Sequence, residues 1–127
     1  KYQHYDNGPA YTADYTDEMR DTMLTDFRDY RNNGKFVLAN MTDKQFMCHP
    51  DWNERTYAFV HFDGPHKSTD VVTEAIWFAN RSAPHSRFVF DDHSKYEMSR
   101  IAYILQLFGF ETHGMGNNKC LLAKVSK

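Results

Sequence analysis

Apolar residues fall into helical and extended patterns along most of the chain. Met19, Met23, Phe27 and Tyr30 recur at helical spacing and share one face. With Thr16 as cap and Asp17 and Glu18 at the positive end, they predict a helix over about 16–31 that stops at Asn32-Asn33-Gly34. Before it, fifteen residues rich in Tyr, Asp, Gly and Pro read as an irregular lead-in. Phe36-Val37-Leu38-Ala39 reads as a short buried strand, and the mixed stretch 41–55 as room for a short helix. Tyr57 to Phe62 is a second strand, rich in aromatic and β-branched residues, and it ends at Asp63-Gly64-Pro65-His66. Val71, Val72, Ala75, Ile76, Phe78 and Ala79 predict a helix over 69–80 capped by Ser68, with Ser82-Ala83-Pro84 closing the segment. Arg87 to Phe90 is a third strand, ending at Asp91-Asp92. A helix over 95–108, with Gly109 at its C-terminal cap, leads to two closing strands near 110–113 and 119–125.

Alternating strands and helices closed by a hairpin predict an α/β fold. The expected architecture is a Rossmann-like, mostly parallel sheet with right-handed crossovers and a C-terminal antiparallel hairpin. The length of 127 residues suits one domain over 1–127. At 41% hydrophobic, 16% aromatic and 25% charged, the composition is that of a globular chain with a real core. A net charge of −2 argues against a general nucleic-acid binder. No apolar run approaches the ~20 residues of a membrane span, so no membrane partner is expected. The two cysteines, Cys48 and Cys120, form no CxxC pair, and a reduced, cytoplasmic setting is the expectation.

In open α/β sheets ligands bind beyond the carboxyl ends of the strands. Asp63 follows the second strand and Asp91-Asp92 follow the third. One crossover links these strands, which makes them neighbours and brings three carboxylates to one rim. Oxygen ligands without a cysteine partner suit a hard divalent cation such as Mg²⁺. His66 lies in the same loop as Asp63 and is the candidate general base. His93, next to Asp92, ranks below it. His61-x-Asp63 with His113 imitates a two-histidine, one-carboxylate iron site, but His61 lies inside a predicted strand. Gly114-Met115-Gly116 lacks the third glycine of a phosphate loop and reads as a turn.

Val60-His61-Phe62-Asp63-Gly64-Pro65-His66, a helix, and then Phe88-Val89-Phe90-Asp91-Asp92 resemble the second half of a class I S-adenosylmethionine-dependent methyltransferase. The nearest group is that of the macrocin O-methyltransferases, with a strand ending in "IDGxH" and a following strand ending in "DD". Leu107-Phe108-Gly109-Phe110-Glu111 and the closing strands extend the resemblance over 57–127. The resemblance implies Mg²⁺, or another divalent cation, on Asp63, Asp91 and Asp92. It also implies His66 as base, a small-molecule or sugar hydroxyl as acceptor, and S-adenosylmethionine as methyl donor. Asp6 then echoes the ribose-binding acid, and Asn40 and Thr42 fall where the family lines its adenine pocket. The glycine-rich cofactor loop has no counterpart, so the first strand and helix of the family fold are expected to be missing. A catalytically inactive or partial domain that binds a metal or a partner protein is the alternative reading. A histidine-based metal-dependent oxygenase or hydrolase is a third. Homo-oligomerisation is left open.

Overall fold

The computed structural model describes residues 2–3, 11–12, 16–64 and 67–125. Two short strands, β1 (Tyr2–Gln3) and β2 (Tyr11–Thr12), pair antiparallel. The expected first helix forms, with the Thr16 hydroxyl accepting the Met19 N–H at 3.1 Å. It breaks at Phe27 into α1 (Asp17–Asp26) and α2 (Arg28–Asn32). Thr22 and Thr25 donate their hydroxyls back to the carbonyls of Glu18 and Asp21, a habit that bends helices. Gly34 takes φ +76 and ends the segment, as its sequence position implies. Neither helix buries a residue.

The expected strand at 36–39 does not form. These residues join no sheet, and Val37 remains 57% exposed. An apolar tetrapeptide becomes a strand only where another edge takes up its backbone groups. Here the Phe36 ring instead stacks on Phe27 at 4.9 Å. The stretch 41–55 holds two short helices, α3 (Asp43–Cys48) and α4 (Pro50–Asn53). Thr42 and Gln45 form a capping box at the start of α3, and Pro50 opens α4.

The main sheet contains β3 (Tyr57–Phe62), β4 (Ser82–Asp91), β5 (Phe110–Met115) and β6 (Lys119–Lys124), in the spatial order β3-β4-β6-β5. Only β3 and β4 pair in parallel; β4–β6 and β5–β6 are antiparallel. The fold is therefore mixed α/β, and the expectation of mostly parallel pairing fails. The closing hairpin is present, but its second strand inserts between β4 and β5. By direction, β3, β4 and β5 run one way and β6 alone is reversed.

Helix α5 (Ser68–Ala79) joins β3 to β4, and a 3₁₀ turn (His93–Lys95) followed by α6 (Met98–Gln106) joins β4 to β5. Ser68 is not the cap of α5. Lys67 holds that position, and buried Ser68 accepts the Glu97 N–H at 3.0 Å, tying the start of α5 to the start of α6. Strand β4 begins earlier than expected, but its ladder with β3 is regular only from Arg87; the segment around Pro84 and His85, with His85 at φ +62, loops out of register. Pro84 lacks the N–H that a regular ladder needs. Helix α6 starts three residues later than expected because Asp92 turns left-handed (φ +50) and feeds the 3₁₀ turn. It ends at Gln106, two residues short of the expected 108, with Leu107 and not Gly109 as its cap; Gly109 follows at φ +88.

Phe62, Phe88, Phe90, Phe110 and Leu122 meet Val71, Ala75, Ile101 and Leu105 of the two helices in one core. Strand residues of the other parity, Phe59, His61, Arg87 and Lys119, are exposed. Helix α3 packs on α5 through Phe46, which stacks on Trp52 at 5.3 Å and meets the edge of Trp77 at 5.8 Å. The Trp77 indole donates to the Met47 carbonyl at 3.1 Å. Beside this cluster the Glu74 carboxyl hydrogen-bonds Asp43, while its Oε2 is buried with no partner among the described residues.

Candidate metal centre

Parallel pairing of β3 with β4 places Phe62 opposite Phe90. Both rings turn into the core and stack at 4.4 Å, their planes nearly parallel at 3°. The next residue on each strand, Asp63 and Asp91, therefore emerges side by side on the opposite parity. His61 lies two residues before Asp63, and in a strand that spacing shares a face. One ligand atom each from His61, Asp63 and Asp91 lies within 4.8 Å of the other two. The rim is held from below by buried Tyr96, whose hydroxyl donates to the Asp91 carbonyl at 2.7 Å.

The two carboxylates divide their charge unequally. Lys119 stands opposite Asp91 in the β4–β6 register, and its ammonium donates to Asp91 Oδ1. That contact, chiefly, holds the Asp91 carboxyl below the usual carboxylate range, aided by a hydrogen bond from Asp63. Asp63 moves the other way. Partial burial raises it first, and the hydrogen bond and negative charge of Asp91 add to the rise. Two neighbouring carboxyl groups thus shift in opposite directions, with the Lys119 ammonium as counter-charge to Asp91.

Of the three carboxylates expected at the rim, Asp63 and Asp91 come together. Asp92 is not one of the three clustered groups: the left-handed turn at its own Cα carries the chain away, and its backbone contributes a hydrogen bond to Asp91. The third donor is His61, which the sequence offered only as part of an iron-site imitation. Strand parity was the signal that could have found it. His113, its supposed partner in that imitation, is exposed on β5 and outside the group. His93 is occupied elsewhere, its Nε2 hydrogen-bonded to the Gly116 carbonyl at 2.8 Å, where it braces the β5–β6 turn. His66 and Asp6 lie outside the described residues. Lys119 was not foreseen at all, because its contact depends on the insertion of β6.

Of the residues assigned to S-adenosylmethionine by resemblance, Asn40 and Thr42 lie among the described residues. Thr42 uses its hydroxyl oxygen to accept the Gln45 N–H at 3.1 Å and its own N–H to reach Gln45 Oε1 at 2.9 Å. Asn40 is exposed on a surface groove lined by Arg20, Leu24, Arg31 and Phe36.

One imidazole nitrogen and two carboxylates form a donor set for a divalent cation. Imidazole favours Zn²⁺ and Fe²⁺, and carboxylates favour Mn²⁺ and Mg²⁺, so the mixed set suits Mn²⁺ or Zn²⁺ better than three carboxylates would. No known protein family, curated protein or solved structure matches the chain. Among the described residues no helix is long and apolar enough to cross a membrane.

Proposed function

We propose that this chain binds one divalent cation at His61, Asp63 and Asp91 and belongs, in activity, with the metal-assisted O-methyltransferases. The observation that carries the cation is the convergence of three ligand atoms at the ends of two parallel neighbours. What supports the activity class is the resemblance over 57–127, together with the strand, Asp, helix, strand, Asp order that it shares with the observed chain path. Asp63 and Asp91 hold the cation through oxygen, and His61 completes the set through nitrogen. When bound, such a cation would lower the pKa of a hydroxyl it ligates, which fits the small-molecule hydroxyl that the resemblance implies as acceptor. His66, three residues beyond Asp63, is the base proposed for that hydroxyl.

The commitment of Thr42 to its helix cap favours a narrower second reading, in which residues 16–125 act as a metal-binding module and leave the methyl donor to other residues. No step through S-adenosylmethionine is assigned to these residues.

Thermal unfolding with and without Mn²⁺, Zn²⁺ and Mg²⁺ tests the cation. At about 100 times its Kd, a cation specific to the folded state adds about 2.7 kcal/mol to stability. Mn²⁺ or Zn²⁺ is expected to act at lower concentration than Mg²⁺. Asp91→Ala should remove most of the shift, and His61→Ala should weaken Mn²⁺ and Zn²⁺ more than Mg²⁺. A melting point indifferent to all three cations at millimolar concentration would remove the metal from the proposal. S-adenosylmethionine added to the same protein distinguishes the two readings: a shift supports a donor site in this chain, and none supports the module.

A further inference from the structure

We propose that Lys119 is a built-in counter-ion of the cation site, and that a divalent cation binds by displacing its ammonium from Asp91. The proposal rests on the cation-site reading above and adds a regulating residue to it.

Lys119 opens β6 and faces Asp91 across the β4–β6 ladder, so backbone pairing delivers its side chain to this carboxylate. Its ammonium donates to Asp91 Oδ1, an oxygen of the same carboxylate that the cluster offers to a metal. Asp91 is the more enclosed partner, with 16% of its side chain exposed against 55% for Lys119. The carboxylate is thus fixed in place while the lysine has open solvent to retreat into. Two carboxylates this close repel each other when both are charged, and a cation between them removes that repulsion. Lys119 provides one positive charge for the purpose, and a divalent ion provides two. An ammonium and a metal on the same carboxylate repel each other, so each weakens the binding of the other. Occupancy is therefore a competition between an intramolecular lysine and a dissolved metal. Lys119 raises the metal concentration at which the site fills and offsets the charge of Asp91 until then.

Titration calorimetry with Mn²⁺ on the wild type, Lys119→Met, Lys119→Gln and Lys119→Arg tests this. Removing the competitor in Lys119→Met or Lys119→Gln should tighten Mn²⁺ binding by about tenfold, since the metal then displaces no ion pair and meets no like charge. Lys119→Arg keeps the charge and should stay within about threefold of the wild type, an outcome that loss of packing at position 119 would not produce. The Gln variant keeps the test open where the Met variant fails to fold. Mn²⁺ binding by the wild type with equal or weaker binding by both neutral variants overturns the role of Lys119 and leaves the site standing. Absence of binding in the wild type and in every variant overturns the site and the role together.

Discussion

Phe90→Ala is expected to lower the free energy of unfolding by about 3–5 kcal/mol, the usual cost of emptying a buried phenylalanine pocket. Phe90 is fully buried and stacks on Phe62, which in turn meets the edges of Phe88 at 5.3 Å and Phe78 at 5.7 Å. Its pocket is walled by other rings and by sheet backbone, which move little to fill a void. A domain of this size is stable by only about 5–15 kcal/mol, so the variant sits near the edge of folding. The same ring fixes the strand end that carries Asp91, so cation affinity should fall along with stability. Phe59→Ala is the control: this ring is 61% exposed on the opposite face and should cost within about 0.5 kcal/mol. Urea denaturation of both variants checks the contrast. Equal small losses would show that the paired rings are not the centre of the core.

Glu74→Gln is expected to stabilise the protein at alkaline pH and to flatten its pH dependence. Burial, the hydrogen bond to Asp43 and the charges of Asp43 and Asp70 push the Glu74 carboxyl up to about 8, from an ordinary value of 4.5. Below pH 4.5 the carboxyl is protonated in the folded and unfolded chain alike, and its contribution is fully present. Between 4.5 and about 8 the unfolded chain has released the proton and the folded one keeps it, so stability falls as pH rises. Above about 8 the loss is complete. At ~1.4 kcal/mol per pH unit, reduced for the partial exposure of the side chain, the window is worth about 2–4 kcal/mol. Glutamine supplies a permanent donor to Asp43 and no charge. The variant should therefore exceed the wild type by about 2–4 kcal/mol at pH 8.5 and match it within about 0.5 kcal/mol at pH 4.5. Asp91, held low by Lys119, contributes in the opposite sense: its stabilisation is present above its unfolded value and is lost as the solution becomes strongly acidic, outside the Glu74 window. Denaturation at the two pH values is the measurement, and parallel wild-type and variant profiles would show that Glu74 does not hold the extra proton.

Much of the site was legible from local pattern. The strand before Asp63, the helix after it and the strand before Asp91 each carry their own periodicity, and a single crossover makes the two strands neighbours. These local patterns alone bring Asp63 and Asp91 together, and the observed register, Phe62 opposite Phe90, agrees with them. They fail at Asp92, where a left-handed residue turns the chain within one step of its neighbour. They also pass over the Asp43–Glu74 contact, which joins helices whose sequences give no sign of meeting.

What the sequence determined by itself was the identity of most elements in 57–125, the parity of their core residues and the adjacency of two acidic strand ends. These follow from side-chain periods of 2 and 3.6 residues and from one short connection, all of them local physics. Tertiary structure alone decided that 36–39 joins no sheet, that β6 enters between β4 and β5, and that His61 and Lys119 flank the carboxylates. Strand pairing is a choice among edges distant along the chain. It is settled by which arrangement buries Phe88, Phe90 and Leu122 under α5 and α6 while satisfying every backbone group, and no single segment contains that comparison.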